Sequence, residues 1–316
     1  MVRDHGGNLA AARAAYGGED WIDLSTGINR RAYPLPPLGP EAWTALPTAP
    51  AMQALIHAAA RAYGAAPERI LPLAGAQAAI QLYPRLARPG VARVLAPTYN
   101  EHAASLRTMG WQVEEVRRSE GLRGADLAVV VNPNNPDGRR LDPLALDAGL
   151  VVVDESFADP HQGLSMAAQA GGNRLVLRSF GKFYGLAGVR LGFLLGEPAL
   201  LARAAELAGP WSVSGPALEI GAKALADTAW QEDTTRRLHD DAGRLDALAA
   251  RAGWRLVGGT ALFRTYATPD AAAAQDHLAR HRIWSRIFPY STEWIRLGLP
   301  DGTDWPRIEA AMGDTP

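Results

Sequence analysis

Short stretches of unbroken apolar residues punctuate the first two thirds of the chain: ILPL, RVLA, LAVVV, GLVVVD, RLVLRS and LGFLL. None alternates polar with apolar positions, so each is expected to be a strand covered on both faces. That is the pattern of a mostly parallel sheet flanked by helices. Between the strands the spacing changes to the helical period. AMQALIHAAARAYG reads as an amphipathic helix ended by Gly64, and NEHAASLRTMG as another.

After about residue 210 the rhythm shifts. SGPALEIGAKALADTAWQEDTTRRLHDDAGRLDALAARAG predicts one long helix with a charged face. A hairpin-like strand pair in WRLVGGTALFRTYA follows, then a helix in DAAAAQDHLARH and a last strand near WIRLGLP. The opening stretch is rich in Gly and Pro, ends in YPLPPLGP, and is expected to be an extended arm with little regular structure. The expected organisation is an arm (1–40), a large α/β domain (41–210) and a smaller α+β domain (211–316), without repeats or low-complexity tracts.

Composition trims the function classes. The 316 residues carry a net charge of −1, which offers no field for nucleic acid or an acidic membrane surface. No apolar run approaches the roughly 18 residues of a membrane span, so no membrane partner is expected. MVRDHGGN is polar from its start and does not resemble a secretory leader. There is no cysteine, which excludes disulfides and thiolate metal sites and fits a reducing, cytoplasmic setting. No metal is expected.

In parallel α/β sheets ligands gather beyond the carboxyl ends of the strands, so the polar residues that follow each apolar run carry the chemistry. Gly75 breaks ILPL, and a helix starting near Ala76 and Gln77 would aim free N–H groups at an anion. Tyr99 ends RVLAPTY. NPNNPDG, residues 132–138, is a tight loop with several amides. Asp154, followed by Glu155, puts a carboxylate at the tip of a buried strand, where it needs a cation or a strong donor.

LRSFGKFYGLAGVRLG holds Lys182 between Ser179 and Arg190. A lysine in a dry site is a nucleophile toward carbonyls, whereas Ser179 and Arg190 suit a phosphate. Taken singly, each feature has an ordinary reading: a strand–helix connection, a packed tyrosine, a solvated aspartate, a pair of surface cations. Together they describe what a flat phosphorylated aldehyde requires, and pyridoxal phosphate is that object.

On NPNNPDG, VVVDESF and SFGKFYGLAGVRLG, in order, the chain resembles the aspartate aminotransferase superfamily of pyridoxal-phosphate enzymes (class I/II, fold type I). The resemblance covers nearly the whole chain. It implies a large domain with a mostly parallel seven-stranded-type sheet covered by helices, and a small C-terminal α+β domain. By the same resemblance Lys182 is the catalytic lysine that forms the imine, and Asp154 pairs with the ring nitrogen. Asn135 donates to the ring hydroxyl oxygen, Tyr99 stacks on the ring, and Gly75, Ala76, Gln77, Ser179 and Arg190 hold the phosphate. Arg296, in WIRLGLP, matches the arginine that grips the substrate carboxylate.

HGGNLAAA, IDLSTGINRRAYP, PLAGAQAAIQLYPRL and GPWSVSGPAL resemble the threonine-phosphate decarboxylases of cobalamin biosynthesis within that superfamily. This implies a small phosphorylated amino acid as substrate, with Arg286 on its phosphate and His5 and Asn8 as further contacts. The reaction implied is decarboxylation of L-threonine O-3-phosphate to (R)-1-amino-2-propanol O-2-phosphate, in a homodimer. A histidinol-phosphate-type aminotransferase would use the same residues, and a non-catalytic cofactor-binding regulatory module is a further alternative. The chain departs from the aminotransferase pattern at Phe157, where most members have a tyrosine, and at Leu46-Pro47, where many have a tyrosine-proline reaching the neighbouring subunit.

Overall fold

In the computed structural model residues 5–313 are described; the outermost residues of the arm and of the C-terminal domain expected from sequence lie outside that range. The chain forms strands β1 (Ile22–Asp23), β2 (Ile70–Leu73), β3 (Val91–Leu95), β4 (Gln112–Val116), β5 (Leu127–Val131), β6 (Leu150–Asp154) and β7 (Arg174–Ser179). Then come β8 (Gly192–Leu195), β9 (Arg255–Thr260), β10 (Phe263–Ala267), β11 (Ile283–Trp284), β12 (Arg286–Phe288) and β13 (Ser291–Gly298). Two compact units result. The larger comprises 32–135 and 140–231, and the smaller 5–31, 136–139 and 232–313.

The larger unit is built on a seven-stranded sheet in the order β2-β8-β7-β6-β5-β3-β4. Strands β3 to β7 run parallel, whereas β8 is antiparallel to both β7 and β2. Every residue of β5 and β6 is buried, as the unbroken apolar runs predict for a sheet covered on both faces. On one face Leu127, Val129, Val152, Leu175 and Leu177 pack with Ile80, Leu106 and Leu201 from helices Ala76–Leu82, Glu101–Thr108 and Pro198–Ala208. The helix predicted in AMQALIHAAARAYG spans Ala49–Tyr63 and ends on Gly64 at φ 64°, a left-handed terminator. It packs against helix Gly215–Ala226, which therefore groups with the larger unit.

The smaller unit has a four-stranded antiparallel sheet, β12-β13-β10-β9, and the predicted hairpin is its β9–β10 pair. A separate two-stranded ribbon pairs β1 with β11 in parallel.

Three sequence expectations change. The arm is not devoid of regular structure: residues Leu9–Tyr16 form a helix capped by Asn8, whose side-chain oxygen accepts from the Ala11 N–H. Ala12 and Trp21 then bury against Ala279. The long helix expected after residue 210 is two, Gly215–Ala226 and Thr228–Arg251. Asp227 leaves helical geometry between them, because its carboxylate accepts from the Trp230 N–H and the Tyr33 hydroxyl. Finally, WQVEEV, unassigned from sequence, forms the edge strand β4.

Candidate active site

A cavity of about 200 Å³ opens within the larger unit, at the carboxyl ends of its parallel strands. All nine residues expected to hold a cofactor line it: Gly75, Ala76, Gln77, Tyr99, Asn135, Asp154, Ser179, Lys182 and Arg190. Val131, Ile80 and Leu191 supply apolar wall.

Backbone geometry builds one end. Gly192 opens β8 and pairs with Leu73 on one side and Ser179 on the other, so three strand ends meet there. A Cβ at Gly192 would lie 2.3 Å from the Ala76 nitrogen and 2.5 Å from the Gly75 carbonyl carbon; only glycine lets the turn come so close. Gly75 adopts φ 86° and starts the helix Ala76–Leu82, and a Cβ there would meet the Arg190 guanidinium at 2.6 Å. Arg190 itself sits at φ 56° and is tied by its guanidinium to the Ala187 carbonyl at 2.9 Å. The result is a cup at the start of the helix Ala76–Leu82, where no side chain caps the first N–H groups, lined also by Ser179 and Arg190.

Asp154 anchors the other end. It is 2% exposed, and its carboxylate is held from behind. One oxygen lies 2.9 Å from Nε2 of His102; the other accepts from the Ser156 N–H at 2.9 Å and the Ser156 hydroxyl at 2.5 Å. Burial alone would raise its pKa. The hydrogen bond from His102, followed by the two Ser156 bonds, counters burial, and the carboxyl sits below its ordinary value. Tyr83 completes the line, with its hydroxyl 3.1 Å from Nδ1 of His102.

The remaining groups are set by short local devices. Tyr99 donates to Gln77 at 3.3 Å, and its ring meets that of His102 edge-on at 6.1 Å. Asn132 spends its amide on Leu141, just beyond the loop, and Asn134 spends its amide on Pro97 and Thr98 in the segment after β3, whereas Asn135 lines the cavity. Lys182 lies in a single helical turn, Phe180–Phe183, with Nζ 5.7 Å from the centroid of the Phe157 ring. A primary amine, an ionised carboxylate, an aromatic face and an anion cup thus share one small cavity. Such a set can bind a flat, phosphorylated, protonatable carbonyl compound and attack its carbonyl carbon.

The other predicted residues lie in the smaller unit. Arg286 and Arg296 are cross-strand partners on β12 and β13. Arg296 is 7% exposed, donates to the Ser25 carbonyl at 2.6 Å and lies 5.3 Å from the Phe263 ring centroid. Burial, helped by the charge of Arg286, lowers its pKa to about 10, so a bound anion there would be strongly favoured. His5, Asn8 and Arg286 line a second cavity of about 240 Å³ with Ser25 and Ser285. Arg296 lines neither cavity as described.

Sequence reasoning missed His102, Ser156 and Tyr83. His102 follows Tyr99 by one helical turn, the signal that could have set it beside the strand ends. Among the described residues no helix is long and apolar enough to cross a membrane, and no group of three or more His, Cys, Asp or Glu could hold a metal ion.

The sequence matches the model of the family "Aminotransferase class I and II" over residues 40–311. It is 45% identical to a threonine-phosphate decarboxylase of Pseudomonas aeruginosa, covering 98% of this chain and 97% of that one. It is 42% identical to a threonine-phosphate decarboxylase of a Sinorhizobium species, again over 98% and 97%. In fold it is similar to the histidinol-phosphate aminotransferase of Sinorhizobium meliloti, solved in complex with pyridoxal-5′-phosphate. That match has a TM-score of 0.82 at 20% identity, over 99% of this chain and 95% of that one.

Proposed function

The chain belongs to the class I and II aminotransferase family, and from that premise we propose that it decarboxylates L-threonine O-3-phosphate with pyridoxal phosphate as cofactor. The product would be (R)-1-amino-2-propanol O-2-phosphate, for cobalamin assembly. The observation that carries this reading is the likeness, over 98% of the chain, to two threonine-phosphate decarboxylases.

The cavity of the larger unit fits the cofactor. The cup that a Cβ at Gly75 or Gly192 would fill, with the N–H groups of Ala76 and Gln77, Ser179 and Arg190, suits a phosphate ester. Asp154, ionised and fixed from behind, suits a protonated ring nitrogen. Asn135 would meet the ring hydroxyl oxygen and Tyr99 the ring face, and Lys182 would join the aldehyde carbon. When bound, pyridoxal phosphate supplies a conjugated cation that accepts the electron pair left at Cα.

The chain's own residues choose the reaction. Arg286 would hold the substrate phosphate and Arg296 its carboxylate, and two fixed anionic groups decide which bond at Cα stands upright for cleavage. His5 and Asn8 would support the phosphate from the cavity they share with Arg286. Lys182 Nζ would return a proton to Cα once carbon dioxide has left. Phe157 offers Lys182 a ring without a hydroxyl, so no phenol competes for the cofactor's ring oxygen.

Under the same proposal the enzyme is a cytoplasmic homodimer. The exposed Trp43 and Leu46, 69% and 63% accessible, support a second copy covering that face. The decisive experiment follows carbon dioxide release from threonine phosphate with and without 2-oxoglutarate. Release that needs no oxoglutarate is expected. Turnover that requires oxoglutarate and frees no carbon dioxide would assign an aminotransferase instead. A Lys182→Ala protein should lose the visible absorbance of the bound cofactor.

A further inference from the structure

We infer that the Tyr83 hydroxyl fixes the single ring proton of His102 on Nε2, making Tyr83 a positioning residue for the Asp154 carboxylate. Three groups stand in line, all buried: Tyr83 and His102 are 0% exposed and Asp154 is 2%. They come from separate elements, namely the turn Tyr83–Arg85, the helix Glu101–Thr108 and the end of β6. Nδ1 of His102 lies 3.1 Å from the Tyr83 oxygen, and Nε2 lies 2.9 Å from Asp154 Oδ2.

Proton counting decides among the arrangements. The Tyr83 hydroxyl has one described hydrogen-bond partner, Nδ1 of His102. If Nδ1 carried a proton, in either the other neutral form or the imidazolium, the ring would donate to the phenol. The phenol's own hydrogen would then be buried without an acceptor, which disfavours both of those forms. With Nδ1 bare, the phenol donates to it, Nε2–H donates to the carboxylate, and every group is satisfied. Burial, and next the charge of Asp154, push the Tyr83 phenol well above its ordinary pKa, so it remains a donor.

The consequence is electrostatic. His102 supplies Asp154 with a hydrogen bond but no positive charge, and Ser156 does the same on the other oxygen. The full negative charge stays on Asp154, facing the cavity. Its use there, holding a proton on the cofactor's ring nitrogen, rests on the function proposed above; the tautomer does not.

The test is two-bond proton–nitrogen correlation NMR on the full chain with labelled histidines, recorded without cofactor and after loading. A His102→Gln protein identifies the His102 signals. The wild type should show Nε2 protonated and Nδ1 bare in both states. A proton on Nδ1, alone or together with one on Nε2, overturns the inference. In Tyr83→Phe, which leaves no donor for Nδ1, the ratio of Nε2–H to Nδ1–H forms should fall roughly tenfold. An unchanged ratio in a folded variant also overturns it. A wild-type protein that shows the expected nitrogen pattern yet stays colourless with pyridoxal phosphate would refute the cofactor reading while upholding this one.

Discussion

Replacing Arg178 by methionine probes a buried charge cluster whose members Arg178 and Glu155 adjoin the cavity residues Ser179 and Asp154 in the chain. Arg178 reaches Glu155 at 2.8 Å and Asp159 at 2.6 Å, and its guanidinium lies 4.5 Å from the centroid of the Tyr63 ring. Glu155 is fully buried and accepts two more bonds, from the Ser165 hydroxyl and the Met166 N–H. Methionine matches the length of the stem and removes the charge, leaving two carboxylates without their cation. Breaking a buried pair in this way costs about 3–5 kcal/mol. At roughly 2–4 °C per kcal/mol for a unit of this size, melting should drop by about 10 °C near pH 8.

The loss must depend on pH, with a definite sign. Burial raises the Asp159 pKa even in the wild type, with Arg178 opposing the rise. Without Arg178 that opposition disappears and the carboxyl rises further. An acid whose folded pKa lies above its unfolded value binds more protons when folded, so lowering the pH through that range stabilises the variant. Melting curves for wild type and variant should therefore converge between about pH 8 and pH 5. Adding Glu155→Gln and Asp159→Asn to the variant should recover most of the loss at pH 8. A gap that is the same at both pH values, or a triple variant no better than the single, would refute the reasoning.

Other expectations follow from the same geometry. Gly192→Ala must push the Ala76 nitrogen aside, and titration followed by visible absorbance should show pyridoxal-phosphate affinity at least about tenfold weaker. If Arg286 holds the substrate phosphate as proposed, Arg286→Ala should raise the KM for threonine phosphate roughly 10- to 100-fold in steady-state kinetics. Asp154, whose folded pKa is depressed, stabilises the fold above the ordinary carboxylate range, and that contribution fades as pH falls through the folded value. Asp154→Asn should flatten acid unfolding below about pH 5, followed by circular dichroism.

Much of the fold was legible because strands buried on both faces have no choice but to be apolar throughout. β5, β6 and β7 announce themselves in LAVVV, LVVVD and RLVLRS. Edge strand β4 does not, because QVEEV presents its glutamates to solvent and its pattern is that of many loops. The helix Leu9–Tyr16 is mostly alanine, which favours helix without making an apolar stripe, and the glycines before it read as loop. The break at Asp227 is a tertiary event: Tyr33, far away in sequence, supplies part of the bonding that replaces a helical turn. Site residues at strand ends were legible because polar residues there contradict the run before them. His102 carries no such contradiction, since its partners Tyr83 and Asp154 stand 19 and 52 residues away.

The close approach of Gly75 and Arg190 couples two positions far apart in the chain. Any side chain at 75 would occupy space the guanidinium fills, and the left-handed backbone at 190 already narrows what that site accepts. Neither residue can drift alone. Across descendants of this gene the two should change together or not at all, and a glycine lost at 75 should mark a lineage that has abandoned the cup.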